Sequence, residues 1–191
     1  MSRRALMVTA AVAALGLWAW RAELFTVSRP GDRPRALVLV PERSPVGFDV
    51  VLPAVPVGMR RLRDGEGVLL VHYWAAWERH AREQIVSLDS LRRLPELERL
   101  QVVVVCFDPF PSVTRYVARQ RLRLSVLLDG DHRLRAALPC PSVPYTYVID
   151  HARRIAVAQP GEVDWWASAT RTALLGLLDE RDTSRAVPLP I

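Results

Sequence analysis

The chain has 191 residues, 50% of them hydrophobic and 24% charged, enough to bury one domain's core and too apolar for a disordered polypeptide. A net charge of +6 and a pI near 10.3 raise the question of a nucleic-acid partner. All 26 basic residues are arginine, scattered with no stripe interleaved with aromatics, and lysine and asparagine are both absent, a bias of GC-rich coding rather than of phosphate recognition; nucleic acid is set aside.

Cys106 and Cys140 stand 34 residues apart, a spacing that fits no metal-site or redox-pair template. His72, His80, His132 and His151 are dispersed, so neither a metal site nor a cofactor is expected.

In chain order, Arg3 and Arg4 precede sixteen uncharged residues, Ala5 to Trp20, and Arg21 and Glu23 follow. As a helix this run spans about 24 Å at about 1.5 Å per residue, against a hydrocarbon core of about 30 Å. Trp18 and Trp20 suit an interfacial belt, and the paired arginines hold the N-terminus in the cytoplasm. Residues 1–25 are read as a signal anchor, with a cleaved signal peptide and a buried soluble helix as alternatives. Ala14 and Gly16 are small enough for a cleavage site but lie inside the apolar run. Either targeting reading exports the domain from the cytoplasm, and the anchor reading holds it on the inner membrane by a single pass, facing the periplasm.

Residues 26–47, rich in proline and arginine, read as a linker holding one short strand around Ala36–Val40. Phe48–Leu52 and Val55–Val57 read as a short hairpin whose prolines confine it to an edge, and Arg60 to Gly67 as a polar turn. Val68 to Trp74 is apolar on both faces, the pattern of a strand buried under helices on both sides. A turn, Ala75-Ala76-Trp77, leads into a helix from Glu78 to about Arg93, whose Ala81, Ile85, Leu88 and Leu91 recur at three-to-four spacing. Strand, turn and amphipathic helix place that turn where open α/β sheets carry their chemistry.

Val102–Phe107 is a second buried strand. Asp108-Pro109-Phe110-Pro111 ends it, and Ser112 is placed as the N-cap of a helix through Val113, Tyr116, Val117 and Gln120. Leu124–Leu128 is a strand, His132–Leu138 a short helix, and Tyr145–Asp150 with Ile155–Ala158 an antiparallel hairpin. The last helix runs from Trp165 to about Leu178 with Trp166, Ala169, Ala173, Leu174 and Leu177 inward, and residues 181–191 are read as a flexible tail. The strands at 68–74 and 102–107, joined by a helix, form a right-handed parallel unit.

The stretch Trp74-Ala75-Ala76-Trp77-Glu78-Arg79-His80-Ala81-Arg82-Glu83 resembles the Trp-Ala-x-Trp-Cys-x-x-Cys-Arg-Glu active-site motif of TlpA-like, membrane-anchored thiol:disulfide oxidoreductases of the thioredoxin superfamily. Val143-Pro144-Tyr145-Thr146-Tyr147-Val148-Ile149-Asp150 is similar to that family's Val-Pro-Thr-Thr-Phe-Leu-Ile-Asp, whose proline is cis. The resemblance covers about residues 48–180 and implies a thioredoxin-like α/β fold, a central mixed sheet flanked by helices, following the N-terminal extension and membrane anchor. It also implies a cis Pro144 facing the turn, with the Val143 backbone open to an extended peptide.

The chain departs from the motif at the two positions that matter most: Glu78 and Ala81 replace the cysteines. The family's exchange chemistry needs a thiolate at the helix N-terminus and a second thiol one turn later. A carboxylate and a methyl group cannot supply it. The resulting expectation is a protein or peptide binder using Trp77, Glu78, Arg79, His80, Val143 and Pro144. The alternatives are a single-cysteine thiol-disulfide oxidoreductase or redox-maturation accessory protein using Cys140, with His80 or His72 as base, and a purely structural subunit of a membrane complex. For Glu78 the plain reading is a favourable first-turn carboxylate. For His72 it is a hydrogen-bonded core residue, and for Cys140 a half-buried loop residue. Trp74 is expected in the core, Trp77 exposed.

Overall fold

The computed structural model describes residues 26–27, 33–56, 58–63 and 67–184. The segment read as an anchor lies outside these residues, as do residues 185–191 of the stretch read as a tail, whose residues 181–184 continue the last helix; no described helix is long and apolar enough to cross a membrane.

The elements in order are β1 (Thr26–Val27), β2 (Asp49–Val55), β3 (Met59–Arg63), β4 (Leu69–Trp74), α1 (Arg79–Leu91), β5 (Gln101–Cys106), α2 (Phe110–Gln120), β6 (Val126–Leu128), α3 (Arg133–Ala137), β7 (Ser142–Val143), β8 (Tyr145–Ile149), β9 (Ile155–Pro160) and α4 (Ser168–Ser184). Seven strands form one mixed sheet in the order β3-β2-β6-β5-β4-β8-β9. β4, β5 and β6 are parallel, and β8 runs antiparallel to both β4 and β9. This is the thioredoxin-like arrangement expected from the sequence.

Because side chains alternate along a strand, the continuous apolar run of β4 feeds two cores. Leu70 and Trp74 join Val104 and Cys106 of β5 under Ile85, Leu88 and Leu91 of α1 and Leu174 and Leu177 of α4. Leu69, Val71 and Tyr73 face the opposite side with Val103, Val105, Leu134 and Leu138. All six residues of β4 are buried. At about 25 cal/mol per Å² of apolar surface, burial on this scale makes β4 the least replaceable strand of the sheet.

Several boundaries differ from the sequence reading. The N-terminal hairpin is longer, with β2 running through Pro53 to Val55 and paired with β3 from Asp49↔Arg63 to Pro53↔Met59. Arg60 to Arg63 is therefore strand rather than turn. Only Leu62 of β3 is buried, among three arginines and an exposed Met59, as on a solvated edge. β2 is not an edge, since its far end pairs with β6.

Ser112 does not cap α2: the helix begins at Phe110, and Pro109 occupies the cap position without a side-chain bond. α4 begins at Ser168, so Trp165 packs in the loop before it, 1% exposed, while Trp166 is 52% exposed and Ala169 is also outward.

The stretch read as a linker is laid along β9 and α4. Val40 N–H donates to Ala156 O, Ile155 N–H to Ser44 O, and Val46 N–H to Arg153 O. Leu37 is buried in the α4 core and its N–H donates to Thr170 Oγ1. Ala36–Val40 is not a regular strand.

Candidate functional site

The turn between β4 and α1 stands at the carboxyl end of the sheet. Glu78 N–H donates to Ala75 O at 3.2 Å, closing the turn, and Arg82 N–H donates to Glu78 O at 3.2 Å, opening the helix. Glu78 thus occupies the N-cap position of α1, where the helix dipole favours a carboxylate. Trp74 is fully buried against Tyr116, ring centroids 5.1 Å apart, and Trp77 is 58% exposed, as the sequence suggested for both.

Asp108, for which the sequence suggests only the end of a strand, braces the turn from the segment that follows β5. Its Oδ2 accepts hydrogen bonds from Ala76 N–H and from the Cys106 thiol, the latter at 3.3 Å. Burial and the neighbouring Asp108 carboxylate push the Cys106 thiol well above its ordinary range. Cys106 is therefore a protonated core donor.

The cis-proline expectation holds: the Val143–Pro144 bond is cis, as is Val55–Pro56. Tyr73 pairs with Tyr145, so the end of β4 lies beside Pro144. Gly161, at a φ of 88° that favours glycine, donates its N–H to Pro144 O at 2.9 Å. The next residue, Glu162, reaches His80 Nδ1 at 3.2 Å. The β9–α4 loop thus bridges His80 on α1 to Pro144 on the neighbouring loop.

Two expectations need correction. The Val143 backbone is not open: β7 pairs in parallel with β1, Thr26↔Ser142 and Val27↔Val143, so the chain's own N-terminal segment holds that edge. Nor is Cys140 half-buried or near a base. It is 1% exposed, its thiol donates to Ser142 O at 3.0 Å, and burial pushes its pKa up to about 12. It belongs to the core with Tyr73 and Tyr147, on the sheet face opposite Cys106.

His72 lies on the other face as well, with Nδ1 3.0 Å from Thr146 Oγ1 and its ring edge-on to Trp165. Complete burial pushes its pKa down to about 3, so it is neutral at physiological pH. Neither histidine is brought to Cys140. The turn and its proline are brought together; the single-cysteine constellation is not.

A groove of about 410 Å³ opens beside the turn, lined by Trp77, Arg82, Asp108, Arg115, Tyr116 and Arg119 among others. Tyr116 Oη donates to Arg82 O at 2.9 Å, tying α2 to α1. Among the described residues no group of histidine, cysteine, aspartate or glutamate could hold a metal ion.

The AhpC/TSA family model matches residues 49–158, more than half of the chain. The chain belongs to the AhpC/TSA family. Solved structures agree on the fold of this family member. A protein assigned as the thiol:disulfide interchange protein DsbE of Chlorobium tepidum is 19% identical with a TM-score of 0.63, covering 72% of this chain and 98% of that one. StoA of Bacillus subtilis is 12% identical with a TM-score of 0.57, covering 70% and 99%. The thioredoxin domain of a thiol-disulfide oxidoreductase of Bacteroides vulgatus is 13% identical with a TM-score of 0.58, covering 72% and 99%. At such identities the likeness is one of fold. No curated protein matches the sequence.

Proposed function

We propose that this AhpC/TSA family member is a TlpA-like, membrane-anchored protein whose domain faces the periplasm and which holds a protein or peptide partner at the Trp77 turn instead of exchanging disulfides there. The observation that carries this reading is the content of the turn. Its strand, helix, bracing Asp108 and facing cis-proline are in place, while Glu78 and Ala81 occupy the positions of the two thiols. An exposed tryptophan on a rigid support is the kind of aromatic anchor enriched at binding surfaces. The uncharged run Ala5–Trp20 behind Arg3 and Arg4 supports the anchor and its orientation.

The partner surface comprises Trp77, Glu78, Arg79 and His80, with the Val143-Pro144 edge as its second side. A partner that adds a strand to that edge displaces Thr26–Val27 from it. Cys140, buried and protonated, takes no part.

The test is insulin reduction coupled to dithiothreitol with the full chain in detergent. The expected rate equals the protein-free background. Catalysed turnover above it overturns the reading.

A further inference from the structure

The groove beside Trp77 carries three arginines on two helices, Arg82 on α1 and Arg115 and Arg119 on α2. Arg115 and Arg119 are one helical turn apart and present to the same side. None of the three reaches a carboxylate among the described residues. The Arg82 guanidinium lies over the Tyr116 ring, 5.9 Å from its centroid, and Arg115 Nε donates to the backbone carbonyl of Pro111 at 3.1 Å.

Five arginines elsewhere, Arg43, Arg61, Arg93, Arg154 and Arg171, each bond a carboxylate. The one acidic residue lining the groove, Asp108, has its Oδ2 turned inward to Ala76 and Cys106.

Resting on the reading of the turn as a binding site, we propose that this groove receives an acidic extended peptide. Its aspartate and glutamate side chains pair with Arg82, Arg115 and Arg119, and its chain passes Trp77. Guanidinium forks match carboxylates in two-point contact, and a planar aromatic lining the groove accepts peptide or apolar side chains without demanding a sequence. The guanidiniums are distributed along the groove on separate helices. No glycine-rich cradle of backbone N–H groups lies among the lining residues, as a compact phosphate site would have. The charge complementarity therefore favours a chain bearing several separated carboxylates over a single compact anion.

The experiment uses the full chain in detergent and three short fluorescein-labelled peptides of one design, bearing Asp/Glu, Asn/Gln or Lys at the same positions, with binding read by anisotropy. The acidic peptide binds about tenfold more tightly than its amide counterpart, the sum expected of two or three exposed charge pairs. Added salt erodes that preference. R115Q/R119Q abolishes it, whereas R60Q/R63Q, an equal loss of charge on the β3 edge, leaves it.

The proposal is overturned if the preference survives R115Q/R119Q or disappears equally in R60Q/R63Q. It is also overturned if inorganic tripolyphosphate binds tightly and displaces the acidic peptide, which assigns the groove to small anions. If all three peptides bind alike and W77A weakens them alike, the turn reading stands and the acidic preference falls alone. Absence of binding by every peptide removes both.

Discussion

Arginine is used in opposite ways at two places in this molecule. Around Asp150 every cation is spent on the fold. The carboxylate is fully buried and accepts from Arg43 Nη1 at 2.9 Å, from Arg154 Nε at 3.0 Å and from the backbone N–H groups of Ala152 and Arg154 at 2.9 Å each. Arg43 continues to Glu180 on α4 at 2.6 Å, so one side chain ties residues 33–47 to the hairpin turn and the last helix.

Around Trp77 the arginines Arg82, Arg115 and Arg119 meet an aromatic ring, a carbonyl and open groove. One set of charges holds the domain together, and the other faces an open groove. A buried carboxylate needs its donors, whereas an exposed guanidinium costs little to leave unmatched.

The largest expected effect breaks the first of these regions. Asp150→Ala leaves Arg43 on Glu180 alone, removes the carboxylate partner of Arg154 and orphans two backbone donors, and is expected to cost about 3 kcal/mol in urea unfolding; a loss below about 1 kcal/mol would contradict the assignment. Burial pushes the Asp150 carboxyl up, but the Arg154 N–H and the Arg43 and Arg154 side chains outweigh it and hold the group below its ordinary range. Glu180 is likewise held low by Arg43. Both therefore stabilise the fold above the ordinary carboxylate range, and that contribution is lost as pH falls through their lower folded values.

A smaller effect separates a second acid response from this one. His72 is neutral in the fold with a pKa near 3, below its ordinary 6.5. The unfolded chain takes up the proton first, so stability falls as pH drops below about 6.5 and continues to fall until the folded group also protonates. His72→Leu is expected to lose about 1 kcal/mol at neutral pH with the Thr146 bond, and to flatten that limb of the stability profile. An unchanged acid slope in the variant would remove His72 as its source.

The smallest effect belongs to the groove region. Trp77→Ala is expected to change stability by no more than about 0.5 kcal/mol, since the side chain is 58% exposed, while weakening peptide binding. A loss of several kcal/mol in thermal or urea unfolding would make Trp77 a fold residue and remove it from the binding surface.

The central strands were readable because burial on both faces leaves no polar phase: Val68 to Trp74 could be little else. β3 was not, because Leu62 alone is buried among Arg60, Arg61 and Arg63, and one buried residue makes no period. The last helix was read three residues early, and that phase error turned Trp166 inward in place of Trp165.

At the site, the turn, Trp77 and Pro144 were legible from a motif. Asp108, the His80–Glu162 contact, the Arg82–Arg115–Arg119 groove and the β1–β7 pairing all join residues distant in sequence. Only the spacing of Arg115 and Arg119 hinted at a shared face.

The proposed function keeps the scaffold of an exchange site at a turn that exchanges no thiols. Its most direct test is the initial rate of insulin reduction by the full chain and by the double variant Glu78→Cys/Ala81→Cys, measured side by side. Background is expected for the parent and catalysed reduction for the variant, because a thiol at residue 78 stands at the N-terminus of α1 with the second in the first helical turn. Turnover by the parent, or an inactive variant that is demonstrably folded, would contradict it.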